Sequence, residues 1–574
     1  MINLAKRTLL TFLAVGVSLS AAHAASNNSA DLLHYIPADT PYVFASTEPM
    51  PAALADKLEP TIDEILQAYQ SIVKHMVDDQ LAKMATEDAS SDEAAKFQSL
   101  TDEVINLLSL EGIRGIGIER GSAFALYGNG LLPVIRFELS EASLFDAAIE
   151  RIEEKAGTAM LVGEAKGESY KYIDADKVRL IVATLDDQAV MTAVPAGFDE
   201  AQVALAIGAK TPRKSLKKSK SLRDLQKEYG YTEHMLGYID IERIAGVFAG
   251  NATDSDKQLF AAVGEAPPEQ TGACSAEILE MAGIAPRIVF GYSELTTDQV
   301  KSSMVVELRK DIAAGLATIP AAVPGLGIDM GGLMSFGLGL NPMALREFFE
   351  ARLDAMEAAP YECEQFADLQ AGVATGREAL NQPLPPVVYS FRGFVANVAD
   401  IQGMDMASNT PPESVEASIL IAMENAEALV MMAAMMDPQI AALNLLPDGK
   451  PVKLEMPQLA EIADLAFAAL STNALTVSVG ENAEEESADM LNAAVAESTP
   501  LMSMSMDSAR YYSMIGDAMA MEPTDEEGEP MPAAVREALR DVMVLSGSIY
   551  ERMSFEVQLT ERGVELDGLM QLGD

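Results

Sequence analysis

The chain has 574 residues, and 49% of them are hydrophobic, which is enough for sizeable cores and for more than one domain. Its formal net charge of −47 argues against nucleic acid as a general partner, because the phosphate backbone would be repelled. The plainest interpretation of so acidic a surface is solubility, and the alternative is a surface that serves one cationic partner.

The N-terminal residues have the pattern of an export signal. Lys6 and Arg7 precede an apolar run from Leu9 to Leu19, and Ala22–Ala24 has the small residues of a cleavage site. We therefore predict a signal peptide over residues 1–24 and a mature protein in the periplasm of a Gram-negative bacterium, or secreted. The apolar run is short for a membrane span, and no later segment has the apolar length of a transmembrane helix.

The first half of the mature chain alternates strand and helix patterns. Tyr42–Ala45 is predicted to be the first strand. Residues 61–108 have helical periodicity with a polar break at Glu87–Asp92, so they are predicted to form a helical insertion. The glycine-rich stretch Gly112–Gly130 is predicted to form a strand, a turn and a second strand.

One stretch, Pro133–Gly157, reads as a strand that runs directly into an amphipathic helix. Alternation across Arg136–Leu139 is typical of a half-buried strand. Ser140 stands where an N-cap is expected, and Gly157 closes the helix as a C-terminal glycine.

The same pattern returns in the second half of the chain. Val134 corresponds to Ser418 and Leu185 to Leu470, and the two offsets are 284 (418 − 134) and 285 (470 − 185) residues. Nearly constant offsets over about fifty residues favour a domain duplication, because the period is far longer than that of a solenoid repeat. Around Leu185 and Leu470 both halves predict a strand, a short turn and another strand.

These patterns together predict an α+β protein. It consists of two tandem copies of a mixed strand and helix unit with antiparallel sheets, over residues 31–310 and 311–574, plus helical insertions such as 61–108.

Cys274 and Cys363 are the two cysteines of the sequence. In an exported protein such a pair predicts one disulfide, here on either side of the junction between the copies. In the chain-entropy model the bridge would stabilise the fold by roughly 4 kcal/mol.

The mature N-terminus also carries a resemblance. Residues 36–45, IPADTPYVFA, and residues 125–139, ALYGNGLLPVIRFEL, resemble a family of exported bacterial proteins of unknown function. Met334–Phe349 stands in the corresponding place of the second copy. The resemblance implies an exported, duplicated α+β protein, and it implies neither an activity nor catalytic residues.

A run of basic residues, here called the basic island, stands out in this acidic chain. It would form a positive patch for anionic lipid headgroups, a polyanion or an acidic partner, or else a solvated helix start that pairs with the protein's own carboxylates. The run lacks interleaved aromatic residues, which weakens a nucleic-acid interpretation further. The basic island consists of Lys210, Arg213, Lys214, Lys217, Lys218, Lys220, Arg223 and Lys227.

Methionine is abundant, with 32 residues and three clusters. Thioethers are soft ligands for Cu(I), so Met502, Met504 and Met506 are candidate copper ligands. The competing interpretation, which we favour, is that these residues and the Met431–Met436 and Met519–Met521 clusters fill the core in place of leucine and isoleucine. No other metal and no cofactor is predicted.

No catalytic motif is recognisable, and the three histidines that follow the signal peptide lie far apart in sequence. The leading hypothesis is therefore a non-enzymatic periplasmic binding or envelope-associated interaction protein. It would bind a protein, a peptide or an envelope component between the copies, with peripheral membrane contact left open. One alternative is a carboxylate-based hydrolase of envelope glycans or peptidoglycan. A second alternative is a methionine-rich Cu(I)-handling protein.

Overall fold

A computed structural model describes residues 32–86, 91–266, 272–403, 412–455, 465–520 and 531–573. The predicted signal peptide lies outside these ranges, as do residues 87–90 of the predicted polar break and Met521 of the third methionine cluster. The chain forms two compact units. Unit 1 consists of Met1–Ser302 and Glu522–Ile549, and unit 2 of Ser303–Met521 and Tyr550–Asp574.

Unit 1 contains an antiparallel sheet with helices packed on it. Its described strands are hydrogen-bonded in the order β4–β5–β6–β7–β3–β2–β1–β8–β9. Their bounds are β1 Tyr42–Ser46, β2 Phe124–Asn129, β3 Leu132–Glu138, β4 Leu161–Ala165, β5 Glu168–Ala175, β6 Val178–Leu185, β7 Gln188–Pro195, β8 Leu236–Asp240 and β9 Arg287–Leu295. The next strand, β10 (Gln299–Glu307), contains the division between the units.

The helices of unit 1 lie between these strands. The bounds of the first eleven are α1 Leu32–Tyr35, α2 Ala52–Thr86, α3 Ser91–Leu107, α4 Leu110–Arg114, α5 Ala142–Ala156, α6 Glu200–Ile207, α7 Leu216–Ser219, α8 Ser221–Tyr229, α9 Ile241–Gly246, α10 Asp254–Val263 and α11 Gly272–Ala282. The helical character predicted for residues 61–108 is confirmed, but α2 begins earlier and continues through Pro60.

The predicted strand and helix at Pro133–Gly157 are confirmed as β3 and α5. Gly157 ends α5 with φ 64°, in the left-handed region that glycine adopts without a steric penalty. The predicted N-cap is wrong: Glu141 occupies that position without a side-chain hydrogen bond, and the Ser140 hydroxyl donates to the Gly117 carbonyl instead. The helix buries Phe145 and Ile149 in a core cluster shared with the sheet.

The prediction of a half-buried strand is also wrong at Arg136, because its side chain is fully buried. Strand β3 is buried on both faces: Ile135 and Phe137 lie in a core cluster with Phe124 on one, and the Arg136 guanidinium meets α1 and the end of α6 on the other. The alternation of polar and apolar residues in β3 therefore does not mean that one face of the strand is exposed to solvent.

The glycine-rich stretch after α3 forms only one of the two predicted strands. Its first part is the short helix α4, whose N-cap Ser109 accepts a hydrogen bond from the Gly112 amide. The chain then turns through positive φ at Gly117 before entering β2. A capped turn thus formed where apolar alternation had suggested a strand.

Unit 2 is also built on an antiparallel sheet. Its described strands follow the order β14–β15–β16–β13–β12–β11–β17–β18–β19. The order from β14 to β18 repeats, strand for strand, the order from β5 to β9 in unit 1. The bounds are β11 Met334–Gly339, β12 Phe391–Gln402, β13 Ser414–Met423, β14 Val452–Lys453, β15 Ala466–Leu470, β16 Ala474–Val479, β17 Met502–Asp507, β18 Arg552–Leu559 and β19 Gly563–Gln571.

The predicted strand–turn–strand elements are confirmed in both units. Strands β6 and β7 pair from Leu185 opposite Gln188, and β15 and β16 pair from Leu470 opposite Leu475. The helices of unit 2 have the bounds α12 Lys310–Leu316, α13 Pro342–Ala358, α14 Ala367–Asn381, α15 Pro386–Ser390, α16 Ala426–Met436, α17 Pro438–Ala442, α18 Ala483–Leu491 and α19 Ser508–Ala520.

The last helix, α20 (Ala533–Ser548), returns to unit 1 and packs against α2. The sequence prediction had placed this segment in the second copy. Among the helices that the structure describes, none is long and apolar enough to cross a membrane.

Candidate functional site

An apolar pocket lies within unit 2, between α13, the end of α14 and α15. Its volume is about 470 Å³, within the range of small-molecule sites. The lining side chains are almost entirely apolar. They are Leu340, Pro342, Leu345, Arg346, Phe349, Ala379, Leu380, Leu384, Val387, Val388 and Phe391.

The local sequence explains why this space is not filled. Asn341 caps α13 by accepting hydrogen bonds from the Met343 and Ala344 amides, and Pro342 occupies its first turn. Helix α14 ends at Asn381, before the proline-containing loop 382–385, because proline cannot continue a helix. The loop therefore separates α14 from α15, and apolar residues on both sides of it turn towards α13.

The pocket opens to solvent. Phe349 on α13 keeps 49% of its surface exposed, and Val387 on α15 keeps 39%. Large apolar side chains that stay exposed around a concave surface are typical of a binding site.

Arg346 is the one charged side chain in the lining. Its Nε donates to Glu350 Oε1 at 2.9 Å, one helical turn away, and its side chain is 22% exposed. Within the described part of the chain its two terminal amino groups donate to no protein acceptor. A guanidinium with free donors beside an apolar pocket can bind a carboxylate or phosphate in a bidentate manner.

Sequence reasoning missed this pocket. It had placed Met334–Phe349 in the second copy and assigned no site to residues 379–391. The sequence signal for the pocket was the apolar Leu380, Leu384 and Val387 around a run of prolines. This pattern does not by itself indicate that α13 packs opposite these residues.

The basic island lies on the surface of unit 1, and all eight of its side chains are exposed. Beneath them Leu216, Leu222 and Leu225 are buried. Apart from Lys217, which has an interaction partner, none of the eight forms an ion pair with any residue that the structure describes. The alternative in which the protein's own carboxylates neutralise the island is therefore not observed for the other seven.

The candidate copper ligands lie on β17, where Met502, Met504 and Met506 alternate with serine. In the neighbouring strands Met504 stands opposite Phe336 and Phe555. Met506 is 4% exposed, in agreement with the core interpretation that we favoured for these residues. Successive side chains on one face of a strand are about 7 Å apart, so sulfur atoms meet there only when the side chains bend towards each other.

The core interpretation is wrong for the cluster on α16. Met431, Met432, Met435 and Met436 are exposed by 61%, 41%, 83% and 81%, respectively. Helix α16 is apolar on nearly every side, so periodicity could not indicate which face packs, and the buried residue of this helix is Ala426.

The predicted disulfide is confirmed. Cys274 and Cys363 are both disulfide-bonded and buried. In the part of the chain that the structure describes, no group of three or more histidine, cysteine, aspartate or glutamate side chains is arranged to hold a metal ion.

Two carboxylates meet on the sheet of unit 2. Glu556 in β18 stands directly opposite Asp567 in β19, so their Cβ atoms are about 5 Å apart. Burial raises the pKa of both carboxyl groups, and the negative charge of Asp567 raises the pKa of Glu556 further. Neither residue lines the apolar pocket.

We expect Glu556→Gln to stabilise the protein at neutral pH by about 0.5–1 kcal/mol, because it removes a like-charge contact. A carboxyl group whose pKa is raised on folding adds stability below its unfolded pKa and loses it as pH rises through the folded pKa. The free energy of unfolding of the wild type should therefore approach that of the variant as the pH falls. Urea unfolding followed by circular dichroism measures both. Glu561→Gln in the exposed turn of the same hairpin is the control, and an equal effect there would contradict the prediction.

The chain matches no family model, no curated protein and no solved structure. The resemblance of residues 36–45 and 125–139 to an exported family stays a prediction, and the geometry of the chain itself carries the functional argument.

Proposed function

We propose that this is a non-enzymatic binding protein of the bacterial envelope, which holds an amphiphile with an acyl chain and an anionic head in the apolar pocket of unit 2. The observation that carries the proposal is a pocket of about 470 Å³ whose lining is apolar apart from one arginine.

The lining selects for an acyl chain by its chemistry. Each Å² of apolar ligand surface removed from water contributes about 25 cal/mol. A glycan or an extended peptide would instead bury hydroxyl or amide groups against Leu345, Leu384 and Val388, which offer no hydrogen bonds. The pocket therefore favours binding of an apolar chain over the glycan hydrolase alternative.

Arg346 would hold the anionic head. Its ion pair with Glu350 uses Nε and leaves the terminal amino groups for a carboxylate or phosphate. Since the charged group lies among apolar neighbours, it orients the ligand while the apolar surface supplies most of the binding free energy.

Two further parts of the proposal concern the whole chain. The export pattern of residues 1–24 would place the protein in the periplasm or outside the cell. The shared strand order, with a helix after β3 and after β13, supports descent of residues 31–310 and 311–574 from one duplicated unit.

The test uses the full mature chain and two fluorescent probes, the neutral N-phenyl-1-naphthylamine and the anionic cis-parinaric acid. We expect saturable binding of both. Ala379→Trp, at the exposed rim of the pocket, should weaken both by about tenfold or more, because the indole occupies ligand space. Arg346→Gln should weaken only cis-parinaric acid, again by about tenfold.

Arg377→Gln is the matched control. Arg377 lies on α14, pairs with Asp354 and Glu357 and does not line the pocket, so its replacement should leave both affinities unchanged. The proposal is wrong if neither probe binds in a saturable manner, or if Ala379→Trp binds both as the wild type does. If Arg346→Gln binds cis-parinaric acid normally, the anionic head is excluded from the proposal.

A further inference from the structure

We propose that the basic island in unit 1 is a docking surface for the anionic headgroups of a lipid bilayer. This surface is independent of the pocket in unit 2. The observation that carries the inference is that seven exposed cations of the island, all except Lys217, form no ion pair with the described residues although the net charge of the protein is −47.

The island is a folded surface and not a loose tail. Leu216, Leu222 and Leu225 are buried under it, with 2%, 6% and 3% of their surface exposed. The backbone is fixed to the N-terminal segment, where the Leu216 amide donates to the Ile36 carbonyl at 2.9 Å and the Ala38 amide donates to the Lys214 carbonyl at 3.0 Å. The cations are therefore held outward along one segment of the surface.

The local charge opposes that of the whole protein. Residues 209–230 contain the eight basic side chains of the island and two acidic ones, Asp224 and Glu228. At physiological ionic strength, charges more than about 8 Å apart are largely screened. A surface brought into contact with the island thus meets a positive field, while most of the carboxylates of the protein act only at low salt.

The composition of the segment favours lipid headgroups over a protein. Protein interfaces need a desolvated apolar centre, yet none of the large exposed apolar side chains of the described chain falls within residues 209–230. The neighbouring aromatic, Tyr229, stacks on Tyr231 at 5.5 Å. It is therefore engaged within the protein, and the island offers no free platform for nucleic-acid bases. An array of separate cations suits a surface that carries many separate anionic charges.

The experiment is vesicle sedimentation of the full mature protein. Vesicles of phosphatidylcholine with about 30% phosphatidylglycerol should bind the protein at physiological salt, release it at high salt and bind far more of it than pure phosphatidylcholine does. We replace Lys214, Lys218, Arg223 and Lys227 together by glutamine. This variant should lose about a hundredfold or more in vesicle affinity with an unchanged circular dichroism spectrum.

A second quadruple variant controls for net charge. Lys171, Lys257, Lys301 and Lys450 are ion-paired, and their replacement by glutamine removes the same number of charges away from the island. Vesicle binding should survive in this variant and in Ala379→Trp. The inference is overturned by absence of binding to the anionic vesicles at physiological salt, by equal losses in both quadruple variants, or by tighter binding to a soluble polyanion such as heparin than to vesicles.

Discussion

Replacing Arg136 by alanine should lower the free energy of unfolding of unit 1 by about 3–5 kcal/mol. The side chain is fully buried. Its Nη1 donates to Gln188 Oε1 and its Nη2 to the Ile207 carbonyl, both at 2.7 Å, and the guanidinium lies 4.1 Å from the ring centre of Tyr35. Alanine would leave a cavity, and it would remove the donor from the buried Ile207 carbonyl and from the half-buried Gln188 side chain.

Arg136→Met separates these two costs. Methionine fills most of the volume but donates no hydrogen bond. The free energy of unfolding of Arg136→Met should therefore be about 1–3 kcal/mol lower than that of the wild type. The sequence contains no tryptophan, and urea unfolding is therefore followed by circular dichroism. If methionine matched the wild type, Arg136 would act only as a space-filling side chain.

Arg179→Ala is the matched control for Arg136. Arg179 also stacks on a tyrosine, Tyr172, at 4.0 Å, but its side chain is 19% exposed and it pairs with the exposed Asp174. Arg179→Ala should lower the free energy of unfolding by about 1 kcal/mol or less, because ion pairs with an exposed partner contribute little to stability. A cost for Arg136→Ala as small as that for Arg179→Ala would contradict the role assigned to the buried guanidinium.

The second large effect is expected from Gly393→Ala in unit 2, with a loss of about 3 kcal/mol or more. Gly393 lies at an irregularity in β12 with φ 145°. A Cβ atom there would stand 2.0 Å from the Leu338 carbonyl oxygen and 2.7 Å from Val323 Cγ2. The carbonyl belongs to the neighbouring strand, so the sheet would have to separate to make room.

Gly372→Ala is the control for Gly393. Gly372 lies inside α14, and an added Cβ would meet nothing within 4 Å. This change should stabilise the protein by about 0.5–1 kcal/mol, because alanine has the higher helix propensity. In thermal unfolding, the midpoint temperature should fall for Gly393→Ala and rise for Gly372→Ala. A change of the same sign in both variants would contradict the steric conflict that we assign to β12.

The elements with a clear local pattern were predictable from sequence. The strand and helix at Pro133–Gly157 follow from their two periodicities, and the pairing of β6 with β7 follows from the short turn between them. The disulfide followed from cysteine number and the predicted compartment. The resulting α+β class with antiparallel sheets agrees with the structure.

The features that the sequence did not predict depend on contacts between segments that are distant in the chain. Alternation in β3 implied a solvent-facing side, but α1 and α6, far away in sequence, cover the side chain of Arg136. The pocket forms because a helix at 342–358 lies opposite residues near 380–391. A local sequence pattern gives no information on whether two such segments pack against each other. In α16 the sequence was apolar on nearly every side, so which methionines are exposed depended on packing alone.

The return of α20 to unit 1 has a consequence for the order of assembly. Unit 1 begins the chain, but the helix that packs on α2 belongs to the segment 522–549. Synthesis from the N-terminus would therefore produce nearly the whole chain before the first unit could close. During that time the surface of α2 that α20 later covers would be open to water or to a chaperone, and a chain cut after residue 520 would leave it open permanently.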